Sequence, residues 1–360
     1  MSKETVLLAM SGGLDSSMAA VLLLEQGYKL IGVTYRPWHS ISTACMEKEK
    51  GCCSVDAVFE AKNMAKKLGF PHYIIDFRKE FRKKVIKNFI NEYLNARTPN
   101  PCILCNAYIK WGNLLAKADE LGCKYVATGH YAKIVNNNGK YYISKGVDKT
   151  KDQSYFLWML SQDNLKRTLF PLGEYLKNDI RNMARNNGFE KLANKRESQE
   201  ICFIPDNDYR RFLRDEVPEV INNIGEGNVV STSGNILGKH KGYPFYTIGQ
   251  RRGLDVAVGH PLYVVNINKN NNEVVLGTRQ ELDKKEMWVN QVILTKYEKI
   301  PDNFEVLTKI RYRNRGQLGR LKMKKDKIKV EFYNNVSSIT PGQSAVFYEG
   351  DDLIGGGIII

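Results

Sequence analysis

No apolar run in this sequence approaches the roughly 18 residues that a membrane-spanning helix needs, and its N-terminus lacks a basic region followed by a long apolar core. A soluble, unsecreted, cytoplasmic protein is expected. Internal repeats and low-complexity tracts are missing as well, which leaves ordinary globular domains, two or three of them for 360 residues. Acidic residues are scarce relative to basic ones: 39 Asp and Glu against 54 Lys and Arg, a formal net charge of +15. Such an imbalance favours a polyanionic partner, nucleic acid first. Seven cysteines is an odd number in a chain too large to need covalent staples, so the thiols are read as chemical rather than structural.

What is present starts near the N-terminus. Thr5 to Ala9 leans apolar and runs into Ser11-Gly12-Gly13-Leu14-Asp15-Ser16-Ser17, then into the Ala- and Leu-rich stretch Met18 to Leu24. The pattern predicts strand, glycine loop and helix, with serine hydroxyls beside the unpaired N–H groups of a helix start, a nest that binds anions. No Gly-Lys-Ser/Thr follows, so this is not a Walker A loop, and the glycine spacing is not the dinucleotide fingerprint. The Ser-Gly-Gly-x-Asp-Ser-Ser pattern resembles the pyrophosphate loop of the ATP pyrophosphatases, which cleave ATP between its α and β phosphates. On that resemblance Asp15 is a magnesium ligand or a phosphate-side partner.

Strand and helix alternate beyond the loop: strand Lys29 to Tyr35 stopped by Pro37, a helix Val55 to Leu68 capped by Ser54, strand His72 to Phe77, and a helix burying Phe81, Val85, Ile86, Phe89, Ile90 and Tyr93. The alternation predicts an α/β domain with a doubly wound parallel sheet and a ligand at the carboxyl ends of its strands. Pro99 and Pro101 disfavour helix, so the next helix is expected from Cys105 to Leu121, its N-terminal dipole lowering the pKa of Cys105. Then come strand Lys124 to Thr128, Gly129-His130, a hairpin through Asn136 to Gly139, an aromatic helix Ser154 to Leu160, and helical patterns to Asn187. Beyond Pro205 glycines and short alternating strands are expected, as in Tyr243 to Gly253. The domains are therefore read as 1–205 catalytic, 206–280 a small β-rich linking domain, and 281–360 a C-terminal β-barrel.

Five stretches in order carry a more specific resemblance: the Ser11 loop, Asn100 to Cys105, Lys151-Asp152-Gln153-Ser154-Tyr155-Phe156-Leu157, Ser198-Gln199-Glu200-Ile201-Cys202-Phe203, and Tyr246-Thr247-Ile248-Gly249-Gln250-Arg251-Arg252-Gly253-Leu254. Together they resemble the bacterial tRNA-specific 2-thiouridylases over nearly the whole chain, to Thr340-Pro341-Gly342-Gln343. Members of that family adenylate the C2 oxygen of the wobble uridine with ATP and deliver sulfur from a cysteine persulfide. The resemblance implies Cys105 as catalytic cysteine and Cys202 as the persulfide-bearing one. It implies an ATP site at Ala9, Met10, Ser11, Gly12, Gly13, Leu14, Asp15, Ser16, Tyr35 and Gly129, and a target-base site at Asn100, Pro101 and Cys102. It sets His130, Lys151, Asp152, Gln153, Arg311, Tyr312 and Gln343 against tRNA. Magnesium, an upstream persulfide donor (a cysteine desulfurase or relay protein) and a monomeric state complete the expectation.

Composition supports part of this independently. Residues 309–329 hold ten Lys or Arg and one acid with Tyr312 interleaved, which suits phosphate contacts and a stacked base, although a solvated basic strand has the same composition. One departure stands out: many family members have Asp where this chain has Cys102. Cys102, Cys105 and Cys202 thus make a three-thiolate set able to hold a [4Fe-4S] cluster, and Cys45, Cys52 or Cys53 offers the fourth ligand that zinc requires. The persulfide route ranks first, the cluster second and zinc third. No role is read for Cys123. Another ATP pyrophosphatase forming an amide or amine product shares the loop but has no need of Cys105 and Cys202. A non-catalytic RNA-binding protein would release no pyrophosphate.

Overall fold

The computed structural model describes residues 4–36, 55–195, 201–256 and 258–360. The expected positions of Pro37, Cys45, Cys52, Cys53, Ser54 and Ser198-Gln199-Glu200 lie outside them.

The N-terminal layer is the parallel sheet that the alternation predicts. β1 (Thr5–Ala9), β2 (Lys29–Arg36), β3 (His72–Asp76), β4 (Tyr125–Ala127) and β7 (Thr168–Leu169) lie in the order β3-β2-β1-β4-β7, all parallel. β1 joins β2 through α1 (Leu14–Glu25) and β2 leads to β3 through α2 (Val55–Leu68), whereas β4 lies on the other side of β1. The strand order reverses between β1 and β4, and a crevice opens where connections diverge in this way. β7 interrupts what the sequence suggests is continuous helix, because Thr168 and Leu169 complete the sheet edge beside Val126 and Ala127.

Two long helices follow the sheet edge. α3 (residues 78–94) buries Phe81, Val85, Ile86, Phe89, Ile90 and Tyr93, the face its periodicity predicts. α4 (residues 101–120) begins at Pro101, four residues before the expected start. Proline breaks helix interiors but is preorganised for the first turn, where its missing N–H would be unpaired anyway. Its stretch Cys105–Asn113 is wound as a π-helix.

The hairpin β5 (Ala132–Asn137) and β6 (Lys140–Lys145) does not extend the parallel sheet; β6 pairs with the C-terminal barrel, Ser144 opposite Asp352. Instead of a helix to Leu160, a single 3-10 turn, Ser154–Leu157, follows, because Tyr155, Leu157, Trp158 and Leu160 are all buried between two layers rather than on one face. α5 (Lys177–Asn186) then packs on α1, and Gly188 ends that segment at φ +74°.

The region after Pro205 opens with helices, not strands: α6 (Tyr209–Glu216) and α7 (Pro218–Ile224). Asp208 caps α6 by accepting the N–H groups of Arg210 and Arg211 at 3.0 Å, and Pro218 starts α7. Strands β8 (Gly227–Ser231), β9 (Ile236–His240), β10 (Tyr263–Asn268) and β11 (Glu273–Gly277) form a small sheet ordered β10-β11-β8-β9. Tyr243–Phe245 is a 3-10 turn rather than part of a strand, since Tyr243, Phe245 and Tyr246 are all buried instead of alternating.

The C-terminal part is a barrel: β12 (Asp283–Leu294), β13 (Phe304–Lys309), β14 (Gln317–Lys324), β15 (Lys327–Ser337), β16 (Ser344–Glu349) and β17 (Asp352–Ile359), closed by pairing β12 with β17. On β16 the side chains alternate between two cores. Ala345 and Phe347 face the barrel interior with Val289, Ile328 and Val330, while Val346 and Tyr348 join Trp111, Tyr155 and Trp158 of the catalytic layer. The barrel is therefore packed on the catalytic domain through buried apolar surface, and Tyr348 adds a hydroxyl contact to Ser154 at 3.0 Å.

Candidate active site

The glycine loop sits at the reversal between β1 and β4. Gly12 has φ +65°, and a side chain there would come within 2.2 Å of the Ala57 carbonyl oxygen, so only glycine lets α2 close over the loop. Ser16 Oγ accepts the Ser11 N–H at 3.1 Å and stands 3.3 Å from Ser11 Oγ. Gly13 is the residue before α1 and Leu14 its first buried side chain. Ala9 and Met10 are buried at the strand end, Met10 held by N–H and C=O bonds to Val33 and Thr34. Gly129, at the end of β4, closes the other side: a Cβ there would lie 2.8 Å from the Asp15 carbonyl carbon and 2.9 Å from the Ser16 nitrogen. Tyr35 ends β2 against Phe77, ring centroids 6.1 Å apart. The expected ATP-site residues from β1, α1 and β4 are thus brought together, with Tyr35 one strand away.

Asp15 is less open than a solvent-facing metal ligand. Its Oδ1 accepts from Lys177 Nζ at 2.6 Å and from the Tyr131 hydroxyl at 2.9 Å. Lys177 is buried and its ammonium also lies over the Tyr131 ring, 5.3 Å from the centroid. Its backbone N–H is fixed by Asp148 Oδ2 at 3.0 Å; hydrogen bonds from Thr150 and Lys177 hold the Asp148 carboxyl below its usual range despite burial. Lys195 reaches the loop from the opposite side, donating to the Gly12 carbonyl at 3.1 Å and pairing with Glu60. Sequence reasoning missed Lys177, Tyr131 and Lys195. A lysine among the buried positions of a helix start is the one signal, and it appears only once burial is known.

Cys102 is exposed in the first turn of α4, and Cys105 lies one turn further on. The helix dipole acts within the first turn, so its effect falls on Cys102 rather than on Cys105. Cys105 and Cys202 are half-buried and pack against one apolar cluster, in which the Phe81, Phe89, Phe203 and Phe212 rings meet edge-on or tilted at 5.2–5.8 Å. That cluster joins α3 of the catalytic domain to α6 and the small sheet, and both thiols lie at its edge. Cys102, Cys105, Cys123 and Cys202 are thiols. Cys123 is buried, which raises its pKa and makes it a structural thiol. Among the described residues no three His, Cys, Asp or Glu side chains are grouped as metal ligands, Cys102, Cys105 and Cys202 included.

Several residues expected against tRNA are engaged internally. Asp152 is buried, accepting the N–H of Ser154 at 3.2 Å and its hydroxyl at 2.9 Å. Gln153 exchanges bonds with Tyr131, its side-chain oxygen accepting the Tyr131 N–H at 3.1 Å. His130 is wedged between Trp111 and Phe170, its Nδ1 2.6 Å from Thr128 Oγ1 and its Nε2 3.5 Å from Lys110 Nζ. Burial and Lys110 hold its pKa well below the ordinary value, so the ring is neutral at pH 7. Arg311 donates to the carbonyls of Ile248 and Ser338 at 3.3 and 3.0 Å and to Thr340 Oγ1 at 2.6 Å. Gln343 donates to the carbonyls of Thr98 and Pro99, each at 3.0 Å. Asn100 hydrogen-bonds the Tyr155 phenol, and Pro101 is buried. Tyr312 packs on Phe156 at 4.5 Å. Lys151 lines a cavity of about 380 Å³ with Lys177 and Arg181, while Arg313, Arg315, Arg320, Lys324 and Lys325 are exposed. No helix among the described residues is long and apolar enough to cross a membrane.

Comparison with known proteins agrees with this layout. Family models match in series: a tRNA methyl transferase HUP domain at residues 4–206, a tRNA methyl transferase PRC-barrel domain at 210–278, and an aminomethyltransferase beta-barrel domain at 284–359. The chain is 52% identical over 358 residues to the tRNA-specific 2-thiouridylase MnmA of Cytophaga hutchinsonii, covering 99% of this chain and 97% of that one. It is 51% identical over 360 residues to the protein of the same name from Amoebophilus asiaticus, covering 100% and 96%. The Carboxydothermus hydrogenoformans protein of that name is 49% identical over 360 residues, covering 99% and 98%.

Proposed function

This chain belongs to the tRNA-specific 2-thiouridylase family, and from that premise we propose that it uses ATP to replace the C2 oxygen of the tRNA wobble uridine with sulfur, through an adenylated base and a persulfide on Cys202. The reading takes 1–205 as the catalytic unit, 206–280 as the linking unit and 281–360 as a tRNA-binding barrel. The donors of the Ser11 loop, with Ala9 to Ser16, Tyr35 and Gly129, hold ATP at the strand-order reversal.

The C2 oxygen attacks the α-phosphorus and pyrophosphate leaves, which converts a poor leaving group into AMP. The terminal sulfur of the Cys202 persulfide then attacks C2, and the C–O bond breaks as AMP departs with the oxygen. The Cys105 thiolate attacks Cys202 Sγ; the S–S bond to the transferred sulfur breaks, its electron pair stays on that sulfur, and a Cys105–Cys202 disulfide remains. An external thiol reductant restores the pair, and an upstream persulfide donor, a cysteine desulfurase or relay protein, reloads Cys202. The observation that carries this route is that Cys105 and Cys202 pack on one apolar cluster.

Asp15 is the carboxylate at the loop that would hold magnesium, and the ion would supply charge to the departing pyrophosphate. The described thiols are not grouped as cluster ligands, and no step is routed through an iron–sulfur cluster. Lys151, Tyr312 and the exposed basic strands contact tRNA; His130, Asp152, Gln153, Arg311 and Gln343 act by shaping the surfaces around it. The protein acts as a cytoplasmic monomer in this reading. The test is metal-analysed protein with ATP, tRNA and a persulfide donor. tRNA-dependent pyrophosphate release with thiouridine formed by iron-free protein supports the assignment, and activity that tracks stoichiometric iron overturns the persulfide route.

A further inference from the structure

We infer that Gln343, on the barrel, is a positioning residue for catalysis: its amide sets the backbone from which the target-base segment Asn100-Pro101-Cys102 and the Cys105 helix begin. The inference rests on the thiolation reading above.

Residues 98–101 cannot organise themselves. Pro99 and Pro101 have no N–H and bias the residues before them to extended backbone, and Asn100 is extended at φ −121° and ψ 90°. Neither proline can offer the carbonyls of Thr98 and Pro99 a donor. Both are met by one side chain, Gln343 Nε2, at 3.0 Å each. Gln343 is itself fixed, its N–H donating to the Thr340 carbonyl at 3.2 Å and its carbonyl accepting the Ile359 N–H at 2.8 Å. Three further contacts tie the same loop down. Thr98 N–H donates to the Pro341 carbonyl at 2.9 Å, Thr98 Oγ1 donates to Thr247 Oγ1 at 3.4 Å, and Asn100 bonds the phenol of Tyr155, which donates to the Ser344 carbonyl at 3.0 Å. Residues 341–344 thus act as a cradle, built on the barrel, for a loop in the catalytic domain.

The geometry also bears on how Gln343 meets RNA. Both protons of its amide are committed to protein carbonyls, leaving only the side-chain oxygen, an acceptor that cannot bind phosphate. Its influence on thiolation passes through loop position. A loop that carries the target base needs sub-ångström placement relative to the sulfur donor, and misplacement by about 1 Å costs on the order of 100-fold in rate.

The test is Gln343→Met, which keeps length and removes the donors, assayed for kcat and KM for tRNA and for the rate at which iodoacetamide labels Cys102, with buried Cys123 as internal reference. Expected are a kcat lowered about 10- to 100-fold, tRNA KM within about twofold, and Cys102 labelling changed severalfold against Cys123. A raised KM with normal kcat makes Gln343 a tRNA ligand and overturns the inference, as does unchanged labelling. If Gln343→Met does not fold, Gln343→Asn, which keeps the amide but falls one methylene short, takes the same measurements. Labelling needs no turnover. A wild-type protein without thiolation activity but with labelling shifted by the variant therefore sinks the functional reading and leaves the loop contact standing.

Discussion

The Lys177 ammonium lies 2.6 Å from Asp15 Oδ1, an oxygen that also accepts the Tyr131 hydroxyl at 2.9 Å. A cation from α5 thus occupies one side of the only carboxylate in the Ser11 loop, holding that loop formed before ATP arrives.

Removing one partner of such a pair strands the other. Lys177 has 7% of its side chain exposed and Asp15 35%, so Lys177→Met should destabilise the ATP-free protein by about 1–3 kcal/mol, less than for a wholly buried pair. Combining it with Asp15→Asn should cost less than the sum of the two. Urea unfolding of the four proteins is the measurement, and strict additivity would refute the coupling.

His130 makes a pH prediction. Its folded pKa is held well below 6.5 by burial and Lys110, so below pH 6.5 the unfolded chain binds a proton that the native state refuses. Stability contributed by the neutral ring is complete above pH 6.5 and is lost as pH falls towards the folded pKa. His72 and His240 are lowered in the same direction by their burial and add to the slope. His130→Gln should flatten the fall in Tm between pH 7 and 5.5, an interval set by that histidine reference value; an unaltered profile would count against the buried neutral ring.

Arg311 and the exposed arginines should behave differently. Arg311 spends its guanidinium on Ile248, Ser338 and Thr340, and burial lowers its pKa from the ordinary arginine value without discharging it at neutral pH. Arg311→Met should destabilise by roughly 1–3 kcal/mol and leave the salt dependence of tRNA binding unchanged. Arg313→Ala or Arg315→Ala should instead reduce the log–log salt slope by about 0.7–0.9 each while hardly moving Tm. A reduced slope for the Arg311 variant would restore it as a phosphate contact.

For the thiols, Cys105→Ser or Cys202→Ser should abolish thiouridine formation while tRNA binding and tRNA-dependent pyrophosphate release persist, because adenylation precedes sulfur transfer. Mass analysis of digested tRNA reads the outcome, and normal thiouridine from either variant would end the assignment. Chelation of iron should leave wild-type activity intact.

How far the sequence could be read depends on where each side chain finds its partners. The Ser11 loop is legible because its turn, hydroxyls and helix start lie within seven residues, and the buried face of α3 because helical period alone aligns Phe81, Val85, Phe89 and Tyr93. Pro101 misled by being read as a breaker when its position made it a helix start. The hairpin β5–β6 was legible as a hairpin, but its pairing with β17 rests on Ser144 and Asp352, more than 200 positions apart. The helices after Pro205 are short, the first of them strongly charged, and only burial of Phe212, Leu213 and Ile221 in the shared cluster reveals their inner faces.

By itself the sequence determined the chemistry on offer: an anion-binding glycine loop, reactive cysteines, an excess of positive charge and the alternation that makes a parallel sheet. Only the tertiary structure decided which polar side chains are spent internally. Asp152, Gln153, Arg311 and Gln343 carry groups suited to RNA, yet each meets a backbone or hydroxyl group buried beside it. A buried hydrogen-bonding group left unpaired costs more than a contact with solvent returns, so packing claims these side chains first.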